Sequence, residues 1–102
     1  MNHLIEEKRS ELELIFRRRH VRRIELFGSA TGADFDPASS DLDFLVTFEE
    51  LPTASYADAY FGLMEDLQQL FHRPIDLVVE SSIRNPYFRQ SIELTRTLVY
   101  AA

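Results

Sequence analysis

The chain has 102 residues, 45% of them hydrophobic and 27% charged, which is the size of one ordinary domain. It carries 11 Lys+Arg against 17 Asp+Glu, a formal net charge of −6. That balance disfavours direct nucleic-acid binding, which needs basic charge to displace counterions. Cysteine is absent, which excludes disulfides, thiolate nucleophiles and cysteine-based zinc sites. No apolar run approaches the ~20 residues of a membrane span, and the charged N-terminal stretch MNHLIEEKRSELELI lacks a signal-peptide core. The expectation is one soluble cytoplasmic domain over residues 1–102, without a membrane segment.

Residues 2–19 read as a helix, with Leu12, Ile15 and Phe16 on one face and Leu4, Ile5 and Lys8 on the preceding turns. Val21 to Phe27 read as a strand ending at Gly28. The stretch SATGADFDPASS has the Gly, Asp, Pro and Ser content of a loop, with room for a helical turn at its start. Asp41 to Phe48 form a second strand. Leu42, Phe44, Val46 and Phe48 share one face of it, and Asp41, Asp43, Leu45 and Thr47 share the other. Ser55 and Asp58 have the spacing of a capping box and open a helix to about Phe71. Its apolar stripe is read as Ala57, Tyr60, Phe61, Met64, Leu67, Leu70 and Phe71. Pro74 precedes a third strand, Ile75 to Val79. Asn85 and Pro86 look like the N-cap and first position of a short helix through about Leu94, and Leu98 to Tyr100 like an edge strand. The fold class is α/β or α+β: a small twisted mixed sheet with helices packed on it.

Chemistry concentrates at Gly28-Ser29, at Asp41-Leu42-Asp43 and at Asp76. Asp41 and Asp43 stand two apart on a strand, so both carboxylates point to one face. Asp76 lies in another strand, and neighbouring strands are ~4.8 Å apart. Two like charges about 5 Å apart repel by about 3 kcal/mol at an effective dielectric of about 20, so a fold gathers them only with compensation. Magnesium supplies it, since it prefers carboxylate and phosphate oxygens. Gly28 ends a strand, where a missing side chain lets a phosphate approach the backbone, and Ser29 adds a hydroxyl. Each piece alone has a plain structural reading, a turn or a solvated strand end. Together, lone acids leading into or lying within the apolar runs FLVTF and IDLVV point to a shared metal site.

Phe27-Gly28-Ser29 followed by Ser40-Asp41-Leu42-Asp43-Phe44-Leu45-Val46 resembles the signature of the polymerase-beta-like nucleotidyltransferases. Pro74-Ile75-Asp76-Leu77-Val78 resembles the strand bearing their third carboxylate. The tail Asn85-Pro86-Tyr87-Phe88-Arg89-Gln90-Ser91-Ile92 is similar to the ending of the minimal nucleotidyltransferases, the MNT antitoxins paired with HEPN toxins. The resemblance implies one nucleotidyltransferase domain that binds ATP and two magnesium ions. Asp41 and Asp43 would hold both ions, Asp76 would complete the first site and help deprotonate the attacking hydroxyl, and Gly28 and Ser29 would hold the β- and γ-phosphates. It further implies a HEPN toxin, an RNase, as acceptor and hetero-oligomeric partner, modified with AMP on a tyrosine. Length points the same way, because 102 residues leave no room for a domain that grips an acceptor. The alternative is a binding module that neutralises its partner by stoichiometric contact. A transferase acting on a small molecule is disfavoured by length.

Other features read as structural. Asp34-Phe35-Asp36 is a second Asp-x-Asp beside Pro37, taken as a solvated loop, and it fails as a calcium loop because Ser39 and Leu45 stand where Gly and Glu are required. Arg17, Arg18, Arg19, His20, Arg22 and Arg23 form a basic run at a helix end, where cations are favoured, with a partner or nucleotide contact as the other reading. His3, His20 and His72 lack ligand spacing and read as surface residues. Tyr56, Tyr60, Phe61, Tyr87 and Phe88 read as core rather than as base-stacking groups.

Overall fold

A run such as LDFLVTF, apolar at every second position, buries one face as a strand, and here it forms the centre of the sheet. A computed structural model describes residues 2–32, 35–36 and 41–102. Its elements in chain order are α1 (His3–Glu7), α2 (Arg9–Arg18), β1 (Val21–Phe27), a 3-10 turn (Gly28–Thr31), β2 (Leu42–Phe48) and α3 (Thr53–Phe71). Then come β3 (Ile75–Val79), a second 3-10 turn (Glu80–Ser82), α4 (Pro86–Glu93) and β4 (Thr97–Ala101). The sheet order is β3-β2-β1-β4. β1 is antiparallel to β2 and β4, and β2 is parallel to β3, so the sheet is mixed as expected.

One face of the sheet carries Ile24, Leu26, Leu42, Phe44, Val46, Ile75, Leu77 and Val99, packed against Ile5, Leu12, Ile15 and Phe16 of α1 and α2 and Leu63, Leu67 and Phe71 of α3. Burying each such side chain is worth ~1.5–3 kcal/mol, so this layer dominates stability. The opposite face holds a smaller cluster, Phe27, Leu45 and Ile92, under α4, with Phe88 edge-on to Phe27 at 6.2 Å between centroids. The second face is the one that carries Asp43 and Asp76.

Several local expectations are corrected. The helix expected over 2–19 is two helices, broken at Lys8 (φ −107°, ψ 15°). On either side of the break Asn2 Nδ2 donates to Ala30 O at 2.9 Å and Arg9 Nη1 to Val99 O at 2.6 Å, which ties α1 to the 3-10 turn and α2 to β4. α3 starts at Thr53 with Pro52 at its N-cap, so Ser55 lies inside the helix and makes no capping box. Its buried stripe is Ala59, Leu63, Leu67 and Phe71, with Tyr56, Tyr60, Met64 and Leu70 at its margins. Ala57 and Phe61 face solvent, Phe61 at 68% exposure. Tyr60 is held by donating its hydroxyl to Leu77 O at 2.8 Å. Tyr87, 80% exposed, also leaves the core that the sequence reading gave it.

The three histidines are surface residues, as expected. His20 and His72 take left-handed backbones (φ 60° and 53°) just past the ends of α2 and α3. α4 begins as expected: Asn85 Oδ1 accepts from Tyr87 N at 2.8 Å and Phe88 N at 3.3 Å, with Pro86 first in the helix.

Leu63→Ala should destabilise the chain by about 2–5 kcal/mol, because it opens a cavity in a fully packed layer. Phe61→Ser should change stability by about 0.5 kcal/mol or less. Urea melts of both variants check the assignment of the stripe.

Candidate active site

Register decides which acids meet. Asp43 pairs with Asp76 across parallel β2–β3, and with Phe27 across antiparallel β1–β2. Asp43 therefore sits between the third-strand carboxylate and the end of β1. Gly28 follows at once, with φ +75°, a backbone that L side chains rarely adopt. A Cβ built there would stand 2.6 Å from Asp43 Oδ2. The glycine is thus required twice, for its backbone and for the space that the Asp43 carboxylate occupies.

The expected site residues come together in part. Asp43 is half-buried, and Asp41, just outside β2, and Asp76 are exposed. Burial first, then the negative charges of Asp76 and Asp41, push the Asp43 carboxyl above its ordinary value. All three carboxylates therefore share one electrostatic neighbourhood. Among the described residues, no three acidic or histidine side chains are drawn together as a ready-made metal cage. Ser29 is exposed in the 3-10 turn, where Thr31 Oγ1 donates to Gly28 O at 2.8 Å and Gly32 N to Ser29 O at 3.1 Å. The Gly28 N–H donates to Thr95 Oγ1 at 2.8 Å and is thus already engaged, while the Ser29 side chain is exposed. Asp36 is exposed, and its companion Asp34 lies outside the described residues. A cavity of about 390 Å³ beside the turn is lined by Asn2, Leu26, Ala30, Thr31, Phe35 and Thr97 among others, and by none of the three carboxylates.

One constellation was not anticipated. Glu25, in the middle of β1 on the site face, is only 3% exposed. Arg96 Nε donates to Glu25 Oε2 at 2.8 Å and Nη2 to Oε1 at 2.5 Å, with Arg23 Nε adding a bond to Oε1 at 3.2 Å. The same guanidinium reaches Glu80 at 3.2 Å and Glu93 at 2.5 Å. The Arg96 bonds, with Arg23 adding to them, outweigh burial and hold the Glu25 carboxyl below its usual range. A signal existed in the sequence, since Glu25 is a lone acid among apolar strand residues just as Asp76 is, but its partner stands 71 positions away. The basic run is largely structural: Arg18 and Arg19 donate to Asp66 at 3.1 and 2.7 Å, and Arg19 lies across Gly62, where a Cβ would meet its guanidinium at 2.5 Å.

Residues 9–99 match the nucleotidyltransferase domain family. A protein of Methanocaldococcus jannaschii named "putative protein adenylyltransferase" is 37% identical over 73 residues, which cover 72% of this chain and 71% of the relative. A solved structure described as a "putative minimal nucleotidyltransferase" superposes with a TM-score of 0.70 at 26% identity, covering 90% of this chain and 89% of the other. A solved complex of an AMPylated Shewanella oneidensis HEPN toxin with an MNT antitoxin contains a chain that superposes with a TM-score of 0.64 at 18% identity. That superposition covers 96% of this chain and 73% of the other, and likeness at this level is one of fold. The mixed sheet and its helices form the polymerase-beta-like nucleotidyltransferase fold, and the chain belongs to the nucleotidyltransferase domain family. Its class of activity is nucleotidyl transfer. Among the described residues, no helix is long and apolar enough to cross a membrane.

The two shifted carboxyls give opposite pH signatures. Glu25 is lowered, so its stabilisation is present above its ordinary value of 4.5 and is lost as pH falls through its folded value. Asp43 is raised, so its ionised form costs stability at neutral pH, and that cost vanishes toward and below 3.8. In metal-free buffer Asp43→Asn should therefore melt above the parent at about pH 7 and Glu25→Gln below it. The Asp43 difference should close as pH falls toward 3.8, and the Glu25 difference should begin to shrink only below 4.5, as measured by thermal melts across that range.

Proposed function

We propose that the chain is a magnesium-dependent nucleotidyltransferase that moves AMP from ATP to a hydroxyl, a tyrosine, of a HEPN-type toxin, and so acts as its antitoxin. The observation that carries the chemistry is Asp43 held between Asp76 and Gly28, with its carboxyl raised by burial and like charge. Such a cost is tolerated where a cation relieves it. The donor set suits a hard divalent ion: it is all carboxylate oxygen, and Asp41 and Asp76 are exposed beside half-buried Asp43. Asp41, Asp43 and Asp76 would hold two magnesium ions. When bound, magnesium neutralises phosphate charge and stabilises the oxygens entering and leaving phosphorus.

The residues of the chain do the rest. Ser29, exposed on the 3-10 turn, donates to the terminal phosphates. Gly28, lacking a side chain, leaves the room that the Asp43 carboxylate takes. Asp76, exposed beside Asp43, takes the proton of the acceptor hydroxyl. A new bond forms from that oxygen to the α-phosphorus as the α–β bridging bond breaks, and pyrophosphate leaves. The task is positioning and charge neutralisation. AMP as the transferred group is supported by the name of the M. jannaschii relative. A HEPN toxin as acceptor is supported by the AMPylated toxin in the similar S. oneidensis complex.

The test is incubation with magnesium, labelled ATP and a cognate HEPN toxin. One or more AMP should appear on the toxin. Asp41→Asn and Asp43→Asn should lower the rate by about a hundredfold to a thousandfold, since a metal ligand is worth several kcal/mol at ~1.36 kcal/mol per tenfold. Full neutralisation of the toxin by Asp43→Asn at low molar ratio would reject transfer as the mechanism. Neutralisation that needs one-to-one amounts, without AMP on the toxin, would establish the stoichiometric binding module instead.

A further inference from the structure

Nothing in the reaction outlined above uses the segment between α4 and β4, yet it touches the site. The antiparallel ladder of β1 and β4 reaches Leu26↔Thr97, and its continuation brings Thr95 opposite Gly28. There the Gly28 N–H donates to Thr95 Oγ1 at 2.8 Å. This is a side chain, not a strand partner, taking a backbone donor at the residue whose left-handed φ of +75° turns the chain out of β1.

Thr95 is itself firmly held. Its N–H donates to Ile92 O at 3.0 Å, and Thr97 Oγ1 donates to its carbonyl at 3.0 Å. Ile92 is buried against Phe27 and Leu45 on the site face. The next residue, Arg96, binds Glu25 of β1, Glu80 after β3 and Glu93 of α4 with one guanidinium. Contacts to four elements therefore hold the backbone at Thr95 and Arg96, and from that held backbone the Thr95 hydroxyl reaches Gly28.

We propose that Thr95 is a positioning residue for nucleotidyl transfer: through the Gly28 N–H it sets the Gly28-Ser29 turn against Asp43. Without that acceptor the Gly28 N–H loses its partner, and the turn depends on the Phe27↔Asp43 pairing alone for its setting against β2. The Gly28 Cα then shifts from Asp43 Oδ2, against which even one added carbon would stand at 2.6 Å, and the Ser29 hydroxyl shifts with it. Misplacement of about 1 Å in such a site costs about a hundredfold in rate. The inference rests on the transfer activity proposed above.

Thr95→Val removes the acceptor oxygen at nearly constant shape, and Thr95→Ser keeps the oxygen and drops a methyl. Three readouts apply to the folded chain: AMP transfer to the toxin, the rise in melting temperature on adding magnesium with a non-hydrolysable ATP analogue, and amide exchange at Gly28. Thr95→Val should lower kcat/KM by about ten- to a hundredfold, shrink the ligand-induced melting shift and speed Gly28 exchange at least about tenfold. Thr95→Ser should restore all three to within about threefold of the parent. Parental transfer by Thr95→Val overturns the proposal. So does an equal loss in both variants accompanied by lower melting, which marks a packing role. If the parent itself transfers nothing, the nucleotidyl-transfer reading fails. The positioning role is then decided by exchange and melting shift, and parental values in Thr95→Val overturn it.

Discussion

A single absent carbon governs the site. The Asp43 carboxylate lies where a side chain on Gly28 would be, and the same glycine carries the left-handed turn that ends β1. Strand register then does the rest, since the pairing that sets Phe27 beside Asp43 also leaves Asp43 beside Asp76. The acids cluster because the backbone gives them no other place, and the electrostatic cost is carried by the apolar layer on the opposite face.

That division of labour runs through the molecule. One face of the sheet is nearly all hydrocarbon under α1, α2 and α3. The other bears a small apolar patch and a dense set of charges. Glu25 and Arg96 show how a buried charge is tolerated: both carboxylate oxygens are occupied, and the guanidinium also reaches two further acids. Asp43 shows the opposite case, a half-buried acid facing other acids. One arrangement fastens β1, the turn after β3, and α4. The other leaves an electrostatic demand for a cation and a phosphate.

The strands were the most legible part of the chain. Val21 to Phe27 and Ile75 to Val79 have the bounds read from their patterns, because alternation and a terminal Gly or Pro are local signals. The mixed sheet followed from the mixture of elements. Helix detail was less legible. Phe61 and Ala57 fit a helical stripe as well as Leu63 and Ala59 do, and only the position of the sheet decides which face is covered. The break at Lys8 lies between residues bonded to Ala30 and Val99, contacts that no local pattern contains. Within the site, Gly28, Asp43 and Asp76 were readable from residue type and spacing, and their register makes them neighbours. Thr95 and Arg96 were not, since a threonine and an arginine in a turn carry no signal of partners 67 and 71 residues away.

Those separations shape how the protein comes into being. β2 sits at the middle of the sheet, its neighbours are contributed from both sides in sequence, and β1 is completed on its outer edge only by β4. On a ribosome, Asp41 and Asp43 emerge well before the segment that binds Gly28 and Glu25. Such long-range closure slows folding relative to a chain of local contacts. It also delays completion of the site until β4 has been made, so that a chain lacking that segment has the earlier strands and acids without the finished turn.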